Sequence, residues 1–193
     1  MTRLSELSVT DRYRAVAATF SARVNGTRDW EAPSPVAEWT ARDVVGHLTS
    51  WFPPMLTGGS GVTLTPGPPA SDDPAGAWQS LDRQVQALLD DPATAELTHT
   101  NVHTGTQPIP AMVDRYFTVD VFLHTWDLAR ASGHDDRLDE GFVEELFEGM
   151  SGIADIIRGS GQFGQQQAVP EDATSQDRLM AFIGRDPRWS PVR

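Results

Sequence analysis

Three polar residues fall where helical spacing would place apolar core residues. Asp120 and His124 lie four residues apart in an otherwise apolar stripe, and His47 interrupts a similar stripe earlier in the chain. Residues four apart share one helix face, with Cβ atoms roughly 5–6 Å apart, and the longer His124 leans back over Asp120. Two imidazoles and a carboxylate can hold a divalent metal ion and leave one position open. The alternative is a hydrogen-bonded core pair of Asp120 and His124, with His47 as an ordinary core histidine.

The remaining candidates for chemistry have weaker patterns. His99 and His103 are also four residues apart, but they lie among strand or loop residues, in which this spacing does not bring side chains together. We therefore expect both to be exposed and unliganded, and His134 to lie at the surface. Asp127 has two interpretations: it orders a ligand or a proton path beside the metal, or it pairs with Arg130 on the helix surface.

Apolar spacing and helix-end residues predict the elements that must position these side chains, and the fold they predict is mainly α. The expected helices span Thr10–Val24, Thr40 to the Pro53-Pro54 pair, residues 77–90, Pro110–Ala131, Asp139–Gly159 and residues 176–183. Residues 97–107 fit either a short strand or an extended loop. The helices that start near Thr10, Thr40, Pro110 and Asp139 are expected to form one bundle.

Details of three segments are also predicted. Thr40 and Asp43 have the spacing of a capping box, and Gly133 should end the longest helix in a left-handed conformation. The breaker-rich residues from Thr57 to Gly76 predict a long loop, either a lid over the open metal position or a passive connector. On the helix after Asp139, burial is expected for Leu146, Phe147, Met150, Ile153, Ile156 and Ile157.

Composition bounds the class of protein. The chain has 193 residues, of which 39% are hydrophobic, enough for one core and hence one domain over residues 1–193. A net charge of -12 makes nucleic acid and membrane surfaces poor partners. The sequence has no cysteine, so any metal depends on imidazole and carboxylate ligands, and thiol chemistry needs a sulfur from elsewhere. The absence of a leader or spanning segment predicts a cytoplasmic protein, and homodimer formation stays open.

The same residues resemble a known family. The match is carried by Trp39–Leu48, by Asp120–Ala131 with its run His124-Thr125-Trp126-Asp127-Leu128-Ala129, by Val169–Ala173 and by Leu179–Pro187. These segments resemble the DinB-like superfamily, in the branch that contains the metal-binding domain of mycothiol-dependent maleylpyruvate isomerase. The closing Gly184-Arg185-Asp186-Pro187 run is similar to that of a small standalone subfamily of this branch.

The resemblance implies a DinB-like four-helix bundle with long loops, a short C-terminal helix and an open divalent site. It assigns the metal ligands to His47, Asp120 and His124. Zinc is the first candidate for the ion, with nickel, iron or manganese as alternatives. The branch usually has glutamate where this chain has Asp120, which is shorter by one methylene.

The reaction that the resemblance implies is thiol chemistry. Mycothiol would be the co-substrate of a metal-dependent thiol transferase or isomerase that acts on a small molecule, and it would supply the sulfur that the chain lacks. The catalytic residues and the substrate stay open. One alternative is metal-dependent hydrolysis of the DinB-like type, with Asp127 as an acid beside the metal. Another is a metal-binding or small-molecule-binding protein without turnover.

Overall fold

The structure is a computed structural model that describes residues 3–159, 161 and 163–191, without the side chains of Ile156 and Ile157. The predicted mainly α fold is confirmed. The elements are α1 (Val9–Gly26), α2 (Ala41–Ser60), α3 (Pro74–Asp90), β1 (Thr98–Asn101), β2 (Gly105–Pro108), α4 (Ile109–Met112), α5 (Val119–Ser132), α6 (Glu140–Ser151), α7 (Ala154–Gly159) and α8 (Ser175–Phe182). None of the helices in the described part of the chain is long and apolar enough to cross a membrane.

Four helices surround the main core. α1 packs against α3 and α5, and α2 packs against the same two helices. Between them, Phe52 and Phe117 stack with ring centroids 4.0 Å apart, and Trp78 of α3 meets Phe20 edge-on at 4.5 Å. Because α2 and α5 are neighbours, residues on their facing sides are brought within reach of each other.

The fourth bundle helix is α3, and the expectation that it begins near Asp139 is wrong. α3 buries an apolar face along its length, including Trp78, Leu81 and Val85. α6 buries Phe142 and Val143 and packs mainly against α8 and the N-terminal turn Leu4–Glu6. Two buried residues form too short an apolar face to span a bundle core. α6 therefore covers the outside of the bundle.

The longest helix matches its prediction and contains a detail that spacing does not show. α4, a π-helical turn at Val113–Thr118 and α5 continue into one another with helical backbone angles throughout. Gly133 ends α5 with a φ of 71°, as predicted. Hydrogen bonds in a π-turn span five residues, so the later residues are rotated about the axis relative to a continuous α-helix. The turn directly precedes α5, the helix that contains Asp120 and His124.

The second helix begins as predicted and ends later than predicted. The Thr40 and Asp43 capping box is present, but α2 continues through Pro53 and Pro54 to Ser60, and Gly61 ends it with a φ of 75°. Each proline removes a backbone donor from the helix. Beyond the prolines, Leu56 is fully buried, so core packing holds the last turns in place.

His99 also holds the end of α2, and the prediction that it is exposed is wrong. Its side chain is 2% exposed, and its Nε2 donates to the carbonyl of Met55 across 3.0 Å. Gly59 leaves room for the imidazole, because a Cβ there would lie 2.2 Å from Nε2. Residues 97–107 form the β1–β2 hairpin, in which His99 pairs with Gln107, and packing of β1 on α2 turns the imidazole inward.

We expect His99→Ala to lower the free energy of unfolding by roughly 2–4 kcal/mol, because it leaves a cavity and removes a buried hydrogen bond. His103→Ala is the matched control, since His103 is exposed near the tip of the same hairpin and should change stability by less than about 0.5 kcal/mol. Urea denaturation of both variants measures the difference. Equal stability of the two variants would show that the His99 contact does not hold α2.

The segment between α2 and α3 is an anchored connector in this structure. The Gln84 side chain accepts from the Thr65 amide at 2.6 Å and donates to the Thr65 carbonyl, and Arg42 donates to the Ser71 carbonyl. With α2 and α3 the segment encloses a groove of about 530 Å³, whose lining includes Gly46 and excludes the three candidate ligands. This arrangement favours the connector over the lid.

The C-terminal third departs from its prediction in one helix. The helix expected over Asp139–Gly159 is divided into α6 and α7, with Gly152 in the intervening turn. Leu146, Phe147 and Met150 are half-buried, whereas Ile153 is 43% exposed, so its predicted burial is wrong. The predicted burial of Ile156 and Ile157 lies outside the described side chains. α8 agrees with the prediction and buries Leu179, Met180 and Phe182.

Candidate metal centre

His47, Asp120 and His124 come together where α2 faces α5, and we call them the His-Asp-His cluster. One donor atom from each residue lies within 4.8 Å of the other two. His47 Nε2 is 3.1 Å from Oδ2 of Asp120, and His124 Nε2 is 3.5 Å from Oδ1. The aspartate therefore reaches both imidazoles, although it is one methylene shorter than glutamate.

The cluster is enclosed on one side and open on the other. The His124 side chain is 5% exposed, whereas Asp120 is 22% and His47 32% exposed. His124 lies among buried residues of α5, and His47 of α2 is the most exposed of the three. Solvent or a small molecule can therefore approach from the His47 side.

Two tryptophans flank the cluster. Trp51 lies one turn after His47 on α2, and its indole N–H donates to Oδ2 of Asp120 across 2.8 Å. The Trp39 ring lies 5.1 Å from the His47 ring and stacks on the His124 ring at 5.8 Å, measured between centroids. Glu38, just before Trp39, has a φ of 67°, an uncommon conformation for a residue with a side chain. This short turn holds Trp39 over both imidazoles.

The neighbours of Asp120 stabilise its charged form. Burial by itself would raise the pKa of this carboxyl, but the positive charge that His124 can carry and the hydrogen bonds from His47 and Trp51 outweigh it. The net result is a pKa below the ordinary value for aspartate. Asp120 is therefore ionised at neutral pH and presents an anionic oxygen to each imidazole.

Asp127 contacts His124, and it does not form the surface pair with Arg130. Nδ1 of His124 donates to Oδ2 of Asp127 across 2.8 Å, and Asp127 is fully buried. Arg185 donates to the same carboxylate, with Nη2 3.0 Å from Oδ2 and Nε 3.1 Å from Oδ1. Burial would raise the pKa of Asp127, but Arg185 first and His124 second lower it. Arg130 instead lies beside Asp136 and over the Trp126 ring.

The hydrogen bond to Asp127 places a ring proton of His124 on Nδ1, and Nε2 is the nitrogen that faces Asp120. With the proton on Nδ1, a neutral His124 directs the lone pair of Nε2 towards Oδ1 of Asp120. Two acceptors that face each other need a cation or an additional proton between them. The donor set of the cluster therefore fits a divalent cation.

The other histidines lie apart from the cluster. His99 is buried against α2, and His103 is exposed near the hairpin tip, as predicted. His134 is half-buried, rather than fully at the surface, with Nδ1 2.7 Å from Oγ of Ser132. Within the described residues, the group that could hold a metal ion is the one predicted from the sequence.

A family model described as the mycothiol maleylpyruvate isomerase N-terminal domain matches residues 13–129. The match covers well over half of the chain and includes all three residues of the cluster. The chain belongs to this family. The predicted DinB-like relationship and helical-bundle fold are thereby confirmed. The match to this mycothiol isomerase family ends before Arg185, so it does not account for the contact between Arg185 and Asp127.

Two proteins of Mycobacterium tuberculosis are similar to this family member. Both are described as uncharacterized, one from strain CDC 1551 and the other from strain H37Rv. Each is 29% identical over 159 residues, a span of 81% of this chain and 85% of the relative. No solved structure matches the chain.

Three contributors to the site were not found from the sequence: Trp39, Trp51 and Arg185. Trp51 lies four residues after His47, and helical spacing places both on one inward face, but an aromatic stripe usually indicates ordinary core packing and predicts no function. Arg185 carries no local signal beyond the Gly184–Pro187 run. Its partner Asp127 lies 58 residues earlier, and only the folded chain brings the two together.

Proposed function

We propose that this protein binds one divalent metal ion through His47, Asp120 and His124 and activates a low-molecular-weight thiol, with mycothiol as the first candidate. The observation that carries the proposal is the meeting of three donor atoms from two helices within 4.8 Å, with His47 and Asp120 partly exposed to solvent. Membership of a mycothiol-related family supports the choice of the thiol. The reaction would be a thiol transfer or an isomerisation of a small molecule.

The donor set also bears on the choice of ion. Two imidazole nitrogens and one carboxylate oxygen suit zinc first, and nickel, iron or manganese as alternatives. A divalent ion held by them would supply a Lewis acid that lowers the pKa of a thiol or a water in the open position. Trp51 holds the Asp120 carboxylate in place, and Asp127 holds the His124 ring.

Thiol chemistry suits the chain's own residues. The sequence has no cysteine, so a sulfur nucleophile must come from a second small molecule. The indole rings of Trp39 and Trp51 form apolar surfaces beside the exposed edge of His47. These surfaces can shield a thiol group from water, which favours its binding next to the cluster.

Metal-dependent hydrolysis with Asp127 as the base is supported less well than thiol chemistry, because of the contacts that Asp127 makes. A water-activating mechanism needs a general base within hydrogen-bond reach of the reacting water. Asp127 accepts hydrogen bonds from His124 and Arg185 and is fully buried, so it is not free to accept a proton from a water at the open side. Binding without turnover stays an alternative that the experiment below addresses.

The proposal is tested on the protein loaded with cobalt(II). Mycothiol should produce a thiolate-to-cobalt charge-transfer absorption, and S-methyl mycothiol, which cannot ionise, should not. Asp120→Asn should lose the absorption, because a neutral amide is a poorer ligand. Absence of the absorption together with metal-dependent ester hydrolysis would replace the proposal with hydrolysis. Absence of both the absorption and the ester hydrolysis would leave a protein that binds a metal or a small molecule without turnover.

A further inference from the structure

The segment after α8 returns to α5 and inserts a charged side chain behind the cluster. Gly184 has a φ of 91°, and the Arg185 amide donates to the Met180 carbonyl at 2.9 Å, so the chain reverses direction directly after the helix. The Arg185 side chain is 11% exposed. Burial of a guanidinium is costly unless its donors are paired. Here Nε and Nη2 meet the Asp127 carboxylate, and Nη1 donates to the Ile183 carbonyl.

The contacts continue from Arg185 to the candidate metal ligand. Arg185 holds both oxygens of Asp127, and Oδ2 of that carboxylate also accepts from Nδ1 of His124. A two-point contact fixes the plane of a carboxylate, which a single hydrogen bond does not. The plane of Asp127 in turn determines where the Nδ1 proton of His124 must point, and so determines the direction of Nε2.

A second buried ion pair in the same bundle, between Arg12 and Asp114, joins two elements and, among the described residues, makes no hydrogen bond to the His-Asp-His cluster. Nη1 of Arg12 lies 2.9 Å from Oδ2 of Asp114, with the two side chains 15% and 19% exposed. Its burial is similar to that of Arg185, and it also joins separate elements. Asp114, however, has no hydrogen bond to a residue of the cluster among those that the structure describes.

We infer that Arg185 is a positioning residue, which orients Asp127 so that His124 presents Nε2 towards Asp120 and the open metal position. This inference rests on the proposed function, since positioning matters for the ion that His124 would bind. It adds a role for the Gly184–Pro187 run, which lies outside the family match over residues 13–129. The segment after α8 then belongs to the metal centre as well as to the fold.

The test compares Arg185→Met with Arg12→Met, using Zn²⁺ as the probe. Affinity is measured by competition with a chromogenic chelator, and stability is measured by thermal unfolding of the metal-free proteins. Arg185→Met should weaken Zn²⁺ binding by about 10- to 100-fold, as loss of a residue that orients a ligand does. Arg12→Met should lower the melting temperature by about as much as Arg185→Met does, but its affinity for Zn²⁺ should be unchanged. Wild-type affinity in Arg185→Met would overturn the inference.

A spectroscopic readout separates this inference from the proposed function. In the metal-free wild-type protein, ¹H–¹⁵N spectra of the imidazole should show a slowly exchanging proton on Nδ1 of His124, hydrogen-bonded to Asp127, and Arg185→Met should make that proton exchange faster. Failure of the wild-type protein to bind Zn²⁺ would refute the proposed function. An unchanged Nδ1 proton signal of His124 in the variant would refute the role of Arg185.

The conservative variant Arg185→Lys covers the case in which the methionine variant does not fold. Lysine keeps the charge but presents a single donor group instead of the planar fork, so it should restore only part of the Zn²⁺ affinity and of the protection of the Nδ1 proton. Full wild-type affinity in this variant would show that charge alone suffices, and the orienting role would then be wrong.

Discussion

Zn²⁺ binding should fall by more than about 100-fold when His47, Asp120 or His124 is replaced by alanine, because loss of a residue that only orients a ligand already costs about 10- to 100-fold. The three residues supply one donor atom each and come from two helices, so each substitution removes a third of the ligand set. Asp120→Asn removes the charge at almost constant shape, and it should approach the alanine variant in its effect. Two measurements test this prediction. One is the metal content of each protein after purification without added metal, and the other is Zn²⁺ affinity from competition with a chelator.

His103→Ala is the appropriate control for these variants, because His103 is an exposed histidine near the hairpin tip. His99→Ala is unsuitable, because His99 is buried against α2 and its loss should destabilise the fold. Double variants give a further check. If the three residues bind one ion, His47→Ala combined with Asp120→Ala should be little worse than either alone. Independent, additive effects would indicate that Asp120 and His124 form a core pair without metal.

Added Zn²⁺ should raise the melting temperature of the unmutated protein by about 5–10 °C when free metal is 100 times the dissociation constant. A ligand that binds only the folded state stabilises it by about 2.7 kcal/mol at that ratio. For chains of this size, each kcal/mol changes the melting temperature by about 2–4 °C. The unfolded chain separates His47 from Asp120 by 73 residues, so it cannot reproduce the cluster. Scanning calorimetry at several metal concentrations should show the shift growing with the logarithm of free metal.

The matched variant for the thermal experiment is Asp120→Asn, which should show no concentration-dependent shift. Mg²⁺ is a control ion, since a hard cation prefers oxygen ligands and should stabilise little. An equal shift in the wild-type and Asp120→Asn proteins would place zinc at another surface site. No shift in either protein would remove the metal from the proposed function and leave the helical bundle.

The sequence by itself determined most of the secondary structure, because the signals for it are local. Thr40 and Asp139 before apolar repeats marked the starts of two helices, and the Thr40 capping box and Gly133 terminus were correct to the residue. It also determined that Asp120 and His124 share a helix face, because residues four apart in a helix lie one turn apart on the same side. His47 was assigned to the same interior because it interrupts the buried face of another helix.

Tertiary packing decided the features in which local preference is weak or misleading. Pro53 and Pro54 predict a helix end, yet burial of Leu56 and the contact of His99 with Met55 carry α2 further. α3 replaced α6 in the bundle because its apolar face is longer. The inward turn of His99 depends on β1 packing against α2, which alternation within a short strand does not specify.

The surroundings of the cluster were likewise decided by the fold. Asp127 could face solvent beside Arg130 or face inward beside His124, and both arrangements obey helical spacing. The deciding partner is Arg185, which lies 58 residues away and compensates for burial of the Asp127 charge. Spacing along a chain determines neighbours on one helix, but the burial of a charge depends on a partner that only the complete fold supplies. The grouping of His47, Asp120 and His124 is therefore readable from sequence, and the orientation of their side chains is a property of the tertiary structure.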